Sequence, residues 1–174
     1  MMILLTGGSG CGKSSYAESL CAGLPGPRYY IAAMRPFGDG SARKIAYHRE
    51  MRRSKGFETI ERYTDLDSLL LPRRGTALLE CICNLTANEM FDDSGIMTDP
   101  YDRVTHGVES LCRQCDNVLV VTNEVGDDAH AFDDATNAYI TVLWKINRTL
   151  AMQADAVYEL VCGIPVVRKG RLLE

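Results

Sequence analysis

One stretch near the start of the chain combines the residue types that bind phosphate groups. It fits the pattern G-x-x-x-x-G-K-[ST] in full and reads Gly7-Gly8-Ser9-Gly10-Cys11-Gly12-Lys13-Ser14. Glycines let backbone N–H groups turn inward around phosphate oxygens, where a Cβ would clash. The lysine of such a loop reaches the β- and γ-phosphates, and the serine offers a hydroxyl to Mg²⁺. The pattern predicts a nucleotide-binding loop; the alternative is a glycine-rich turn without a ligand.

A histidine in a basic segment has the chemistry of a nucleophile. His48 is followed by Arg49 and, one predicted helical turn later on the same face, by Arg52. A neutral imidazole can attack a phosphoryl or nucleotidyl group and form a phosphoramidate, while arginines hold the phosphate bidentately. The spacing alone leaves a second interpretation open, namely a surface or core histidine without a special role.

Two carboxylates follow predicted strands, where ligands gather in open α/β sheets. Glu80 ends the run TALLE, and Glu124 comes shortly after NVLVV. Each could bind Mg²⁺ or accept hydrogen bonds from a purine, or could merely cap the following helix. The acidic run 127–134 resembles a metal patch, but a solvated loop that caps the next helix is the favoured interpretation.

Strands and helices alternate along the chain. Apolar runs closed by turn residues predict strands at Ile3–Thr6, Tyr29–Ala33, Phe57–Tyr63, Thr76–Cys81, Asn117–Thr122, Ala156–Val161 and Pro165–Arg168. Helical spacing predicts helices at Lys13–Ala22, Ser41–Lys55, Asp65–Leu71 with an aspartate cap, 84–115 with a break near 92–100, and Asp133–Ala154. The last helix has a predicted apolar stripe of Ile140, Leu143, Trp144, Ile146, Leu150 and Ala151.

This alternation predicts an α/β fold: a three-layer domain of the P-loop NTPase type with a mostly parallel central sheet. The closing strands form an antiparallel pair. The 174 residues, 46% hydrophobic and 24% charged, suit one globular domain spanning residues 1–174 and no membrane span. A net charge of −4 argues against a general nucleic-acid binder.

Seven cysteines, an odd number, follow no secretory signal, so we expect reduced thiols in a cytoplasmic protein. Cys112 and Cys115 form a C-x-x-C, and Cys81 and Cys83 form a C-x-C. Together they could suggest zinc. Their positions at a predicted helix end and a predicted strand end instead favour packing roles, and we expect no structural metal.

Several motifs occur in an order that is specific when taken together. They are MMILLTGGSGCGKS, YYIAA, K-I-x-x-H-R-x-x-R around His48, the T-x-E of Thr59 and Glu61, LLEC at Leu78–Cys81, VTNEVG at Val121–Gly126, IN at Ile146–Asn147, and ADAVYELVCGIP. In this combination the chain resembles, nearly end to end, the bifunctional adenosylcobinamide kinase/adenosylcobinamide-phosphate guanylyltransferase family of cobalamin biosynthesis.

The resemblance implies two transferase activities. One phosphorylates adenosylcobinamide with ATP or GTP. In the other, the histidine matching His48 attacks the α-phosphate of GTP, carries GMP covalently and passes it to adenosylcobinamide phosphate, giving adenosylcobinamide-GDP. The resemblance also implies Mg²⁺ with the nucleotide and a homotrimer whose neighbouring subunits help to build the corrinoid site.

The resemblance further implies which residues do this chemistry. His48 and Lys13 would be catalytic, and Ser14 would contact Mg²⁺. The nucleotide would be held by the loop of residues 7–14 together with Ala32, Ala33, Arg49, Glu50, Met51, Arg52, Glu61 and Glu80. The carboxylate of Glu61 or Glu80 would accept hydrogen bonds from the guanine edge. From the residues alone, another small-molecule kinase or a non-catalytic nucleotide-binding regulator remains an alternative.

Overall fold

The computed structural model describes residues 1–36, 50, 52–91, 98–125 and 132–173. Its strands are β1 (Met2–Thr6), β2 (Arg28–Ala32), β3 (Phe57–Glu61), β4 (Thr76–Glu80), β5 (Asn117–Val121), β6 (Ala156–Val161) and β7 (Ile164–Lys169). Its longer helices are α1 (Lys13–Gly23), α2 (Ile82–Met90), α3 (Tyr101–Gln114) and α4 (Asp134–Gln153).

Within these residues the strands form one sheet in the order β3-β2-β4-β5-β1-β6-β7. All neighbours are parallel except β6 and β7, which are antiparallel, as the sequence predicts. The four central strands are short apolar runs, and β5 is buried at all five positions. Burial on both faces explains why this strand shows no polar alternation.

The helices cover both faces of the sheet. Helix α1 contacts the sheet through Tyr16, whose ring packs edge-on against Tyr158 of β6, the register partner of Leu5. Helix α3 reaches Met2 through the sulfur of Cys112, at 3.6 Å. Because successive strand residues point to opposite faces, Met2 and Leu5 place α1 and α3 on different sides. The three-layer α/β prediction is confirmed.

Several boundary and packing predictions need correction. The predicted helix over Asp65–Leu71 is only a 3₁₀ turn at Leu66–Ser68, and Asp65 makes no side-chain cap there. Its carboxylate instead accepts from Arg62 and Ser68. The predicted stripe of α4 is also wrong at Trp144, which is 56% exposed, while Val142 is buried in its place.

Other predictions hold or fall outside the described residues. Asp133 caps α4 by accepting from the Thr136 N–H at 2.7 Å, as predicted. Of the predicted helix Ser41–Lys55, the structure describes Glu50 and residues 52–55, and positions 50 and 52–54 are helical. Most of the acidic run, residues 127–131, lies outside the described residues.

The 3₁₀ turn and α3 meet at a glycine. A Cβ built on Gly107 would lie 2.7 Å from Leu66 Cβ, closer than carbon atoms approach. Leu66 is itself buried, at 1% exposure. Gly107 is therefore required by packing, although glycine weakens a helix interior.

We predict that Gly107→Ala destabilises the protein by about 1–3 kcal/mol, since the overpacking outweighs the gain in helix propensity. Chemical denaturation measures the free energy of unfolding. Gly23→Ala is the matched control, because a Cβ on this helical glycine meets nothing within 4 Å. Equal stability of the two variants would contradict the packing argument.

Candidate active site

The glycine-rich loop connects β1 to α1 in a conformation that side chains would disturb. Gly7, Gly10 and Gly12 have φ values of 132°, 72° and 95°. A Cβ on Gly7 would in addition lie 2.6 Å from the Leu160 carbonyl oxygen of β6. The loop therefore needs glycine at its start for conformation and for the close approach of a neighbouring strand.

Lys13 directs its charge into this loop. Its ammonium group donates to the carbonyl oxygens of Gly7 at 2.7 Å and Gly8 at 2.6 Å, and lies 3.6 Å from Cys11 Sγ. The side chain is 6% exposed. A buried cation is thus held where the sequence predicts phosphate binding.

The turn between β6 and β7 supports the loop from outside. The Gly163 N–H donates to the Cys11 carbonyl oxygen at 2.9 Å. A Cβ on Gly12 would meet Gly163 Cα at 3.4 Å. This support joins residues about 150 positions apart in sequence, and the closing motif that contains Gly163 was the only sequence signal for it.

Glu80, the last residue of β4, connects the loop to the neighbouring strands. Ser14 Oγ donates to one of its carboxylate oxygens, and the Tyr30 hydroxyl donates to the other. Burial and the adjacent Glu80 raise the pKa of Tyr30, so its hydroxyl keeps its proton and remains a donor. The Arg52 guanidinium lies over the Tyr30 ring, 3.9 Å from its centroid.

These groups surround a pocket of about 240 Å³ at the carboxyl ends of β2, β3 and β4. It gathers five of the predicted site residues: Ser14, Ala32, Arg52, Glu61 and Glu80. Parallel strands explain the convergence, because Ala32 is in register with both Glu61 and Glu80. The pocket also contains residues that the sequence did not single out, among them Glu18, Tyr30 and Asn84.

The other predicted residues divide into three groups. Three residues of the loop are exposed, namely Gly8, Ser9 and Gly10. Glu50, which lies outside the loop, is exposed as well. Ala33 is buried outside the pocket lining, where its N–H donates to the Glu80 carbonyl oxygen at 2.9 Å. His48, Arg49 and Met51 lie outside the described residues.

Asn88 is a further residue that the sequence did not reveal. Its side-chain amide on α2 donates to the carbonyl oxygens of Ala33 at 2.8 Å and Tyr63 at 3.0 Å. It thereby joins the segments that follow β2 and β3 at the rim of the pocket. The Tyr63 hydroxyl in turn donates to Glu61 at 3.0 Å.

The two cysteine pairs occupy opposite ends of the sheet. Cys112 contacts Met2 at the start of β1, whereas Cys83 lies 3.8 Å from the hydroxyl of Thr122, just past the end of β5. Strands β1 and β5 are parallel neighbours, so the pairs are separated by the length of a strand. They cannot share one metal ion.

Cys83 has an environment that favours a thiolate. The Cys81 thiol donates to its sulfur, and the Asn123 N–H does so at 3.3 Å. These hydrogen bonds, with the Cys81 contribution largest, outweigh burial and lower the pKa of Cys83 to about 6. The same pairing and burial raise the pKa of Cys81.

We predict that the ultraviolet absorbance of a thiolate appears near pH 6 in the folded protein and is lost in Cys83→Ser. Since folding lowers the pKa of Cys83, ionisation of this thiol adds to the free energy of unfolding. The contribution is present in full above the ordinary value of 9.0 and is lost as the pH falls through about 6. Cys162→Ser, at an exposed cysteine, is the control and should keep the rise in thiolate absorbance near pH 6. If Cys83→Ser kept the rise in absorbance near pH 6, the lowered pKa would not belong to Cys83.

The part of the chain that the structure describes contains no helix with the length and apolar character needed to cross a membrane. Among solved structures, the fold is similar to the flagellar accessory protein FlaH from Methanocaldococcus jannaschii, with a TM-score of 0.50, 14% identity and coverage of 97% of this chain and 78% of that one. It is also similar to an ATPase of a bacterial type III secretion system, with a TM-score of 0.51, 10% identity and coverage of 97% and 57%. These likenesses support the P-loop NTPase-type fold.

Sequence relatives are more specific. The chain is 33% identical to the bifunctional adenosylcobalamin biosynthesis protein CobU of Escherichia coli K12 and 32% identical to that of Salmonella typhimurium, over 95% of this chain and 98% of each relative. It is 27% identical to CobP of Pseudomonas aeruginosa over 99% of this chain and 100% of the relative. The family model for cobinamide kinase / cobinamide phosphate guanyltransferase matches residues 3–167. The chain therefore belongs to this family of transferases.

Proposed function

We propose that this chain phosphorylates adenosylcobinamide with ATP or GTP and transfers GMP from GTP, through His48, to adenosylcobinamide phosphate. Family membership supports the reaction pair. The observation that carries the assignment of the site is the carboxylate of Glu80, held by both Ser14 of the loop and Tyr30 beside Arg52. This contact joins the predicted phosphate site to the pocket that holds the other predicted residues.

Nucleotide phosphates would bind at the glycine-rich loop. The Lys13 ammonium, which now donates to two loop carbonyls, would turn part of its donor capacity toward the β- and γ-phosphates. The N-terminal N–H groups of α1 add further donors and a favourable dipole. Binding thus exchanges internal contacts of the loop for contacts with the ligand.

Ser14 and Glu80 fit a magnesium ion. Both present oxygen atoms, the ligands that Mg²⁺ prefers, and their direct hydrogen bond brings these atoms to one place. A bound Mg²⁺ would neutralise charge on the β- and γ-phosphate oxygens. Ser14 would contact it directly, and Glu80 would hold it directly or through water.

The guanylyl transfer would use His48 as the nucleophile. Its imidazole nitrogen would attack the α-phosphorus, a P–N bond would form, and pyrophosphate would leave. Arg52, four residues later in sequence, lines the pocket and would hold the transferred phosphate. A phosphate oxygen of adenosylcobinamide phosphate would then attack the α-phosphorus, and the P–N bond would break as the imidazole leaves.

Of Glu61 and Glu80, Glu61 is the carboxylate better placed to hydrogen-bond the guanine base. Both oxygens of Glu80 already accept strong hydrogen bonds from Ser14 and Tyr30. Glu61 lies at the far side of the same pocket and is oriented by Tyr63. A carboxylate there would accept from the ring N–H and the amino group of guanine together.

We also propose a cytoplasmic homotrimer. Edge strand β7 and the adjoining end of β6 expose apolar side chains, with Val161 at 47%, Ile164 at 66% and Val167 at 40%. Exposed apolar residues on an edge strand suit a subunit contact. The seven cysteines are all free thiols, which agrees with a reducing compartment.

Incubation with GTP labelled at the α-phosphate should leave acid-labile, base-stable label on the protein, because a phosphoramidate has that stability pattern. His48→Ala should abolish the label. His106→Ala is the control, since His106 is exposed on α3, and it should label normally. Labelling of His48→Ala, or an absence of label on the wild type, would refute the guanylyl-histidine route.

Tyr30→Phe should weaken the binding of Mg²⁺-nucleotide by about tenfold or more, since a hydrogen bond to a charged group contributes about 1.5–3 kcal/mol and holds Glu80 beside Ser14. The phenylalanine keeps the ring under Arg52. Tyr29→Phe is the control, because that hydroxyl donates to the Arg73 carbonyl instead. Titration calorimetry would compare the three proteins, and equal affinities would contradict the role given to Tyr30.

A further inference from the structure

We propose that Glu124 is the general base of the phosphoryl transfer and that the cavity beside it receives the alcohol that is phosphorylated. This inference rests on the proposed function and assigns the acceptor side of the kinase reaction. The placement of Glu124 in the sheet, the fixation of its backbone and the cavity it borders carry the argument.

The strand order places Glu124 beside the phosphate loop. Strand β5 lies between β1, which leads into the loop, and β4, which ends at Glu80. Val121, the last residue of β5, is in register with both Leu5 and Glu80. Glu124 follows three residues later, and its carboxylate accepts from the hydroxyl of Thr6 at 3.3 Å. Thr6 directly precedes the first glycine of the loop.

The backbone on both sides of Glu124 is fixed by hydrogen bonds. Asn147 of α4 accepts from the Thr122 hydroxyl at 2.7 Å and donates to the Asn123 carbonyl at 3.4 Å. The Trp144 indole N–H donates to the Val125 carbonyl at 3.0 Å. Such support suits a carboxylate that must meet a reacting atom in one geometry.

Glu124 has more free acceptor capacity than Glu80. Both oxygens of Glu80 accept from protein donors. Within the described residues 1–36, 50, 52–91, 98–125 and 132–173, Thr6 is the one donor to the Glu124 carboxylate. Its second oxygen therefore remains able to take a proton.

A cavity of about 570 Å³ opens beside Glu124, on the face of the sheet covered by α4. Its apolar lining comes from Leu4, Val157 and Ala151, and Thr6 and Glu124 line it as well. Trp144 borders it with 56% of its surface exposed. Lys145 and Arg148 add two cations. This combination suits one part of a large, partly apolar substrate with polar side arms, such as a corrinoid.

The proposed phosphoryl transfer needs no chemical group beyond those already named. The acceptor alcohol gives its proton to the Glu124 carboxylate as its oxygen attacks the γ-phosphorus. The new O–P bond forms, the bond from the γ-phosphorus to the β,γ-bridging oxygen breaks, and the nucleoside diphosphate leaves with that electron pair. Glu124 then returns the proton to solvent.

The test is Glu124→Gln, which keeps the size and the contact to Thr6 but cannot take the proton. With adenosylcobinamide and ATP, we expect kcat to fall by about 10²-fold or more. The acid limb of the kcat–pH profile should disappear. The ATP dissociation constant and α-GTP labelling should stay within about threefold of wild type, because neither requires this base. Glu58→Gln, at an exposed site on β3, is the matched control and should change none of these quantities.

A second variant tests the cavity. Ala151→Phe would place a phenyl ring in part of it, and we expect the KM for adenosylcobinamide to rise by about tenfold or more while the ATP dissociation constant stays unchanged. Retained ATP binding also shows that the variant is folded.

A kcat of Glu124→Gln within threefold of wild type, or a persistent acid limb, overturns the role of the base. An unchanged KM for adenosylcobinamide in Ala151→Phe overturns the acceptor cavity. If the wild type itself does not phosphorylate adenosylcobinamide, the proposed function fails and this inference fails with it. The wild-type measurement therefore separates the two failures.

Discussion

The contact of Glu80 with Ser14 and Tyr30 is the interaction on which the site depends. It joins the phosphate loop, the end of β4 and the middle of β2 through the two oxygens of one carboxylate. Parallel register makes the contact possible, since Ala32 pairs with Glu80 and Glu80 pairs with Val121, which in turn pairs with Leu5. A shift of one residue in any of these pairings would turn Glu80 to the other face and separate it from the loop.

The position of β5 separates two carboxylates for which we propose different roles. This strand separates β1 from β4 and so places Glu80 and Glu124 at different points around the loop. Glu80 accepts one hydrogen bond on each oxygen, which fixes its carboxylate for the task of positioning a metal and the loop serine. Glu124 is exposed, accepts from one described donor and borders a cavity, which suits proton transfer. One sheet edge can therefore serve a nucleotide and an acceptor from separate directions.

Local patterns were sufficient to predict the loop and the strands, and they placed Glu80 at a strand end, where ligands gather in a parallel sheet. The place of Glu61 in the site was predicted only from the resemblance to the family. Contacts made across the fold were not predictable in this way. Tyr30 reads as an ordinary strand residue until its hydroxyl meets Glu80, 50 positions away in sequence. Trp144 fits the apolar period of its helix, yet it is 56% exposed and borders a cavity. Asn88 carries no local signal, since its partners belong to two other segments.

The charge distribution in the pocket determines how a nucleotide can lie in it. Three carboxylates line the pocket: those of Glu18, Glu61 and Glu80. Lys55 pairs with Glu18, and two hydroxyl groups donate to Glu80. Glu61, oriented by the Tyr63 hydroxyl at the end of β3, is the carboxylate that we propose meets the base. Phosphates placed near Glu61 would be repelled, whereas the donor-rich edge of guanine would be attracted. Lys13 and Arg52 provide cations at the other side. A guanine nucleotide bound as we propose would lie with its base toward β3 and its phosphates toward the loop.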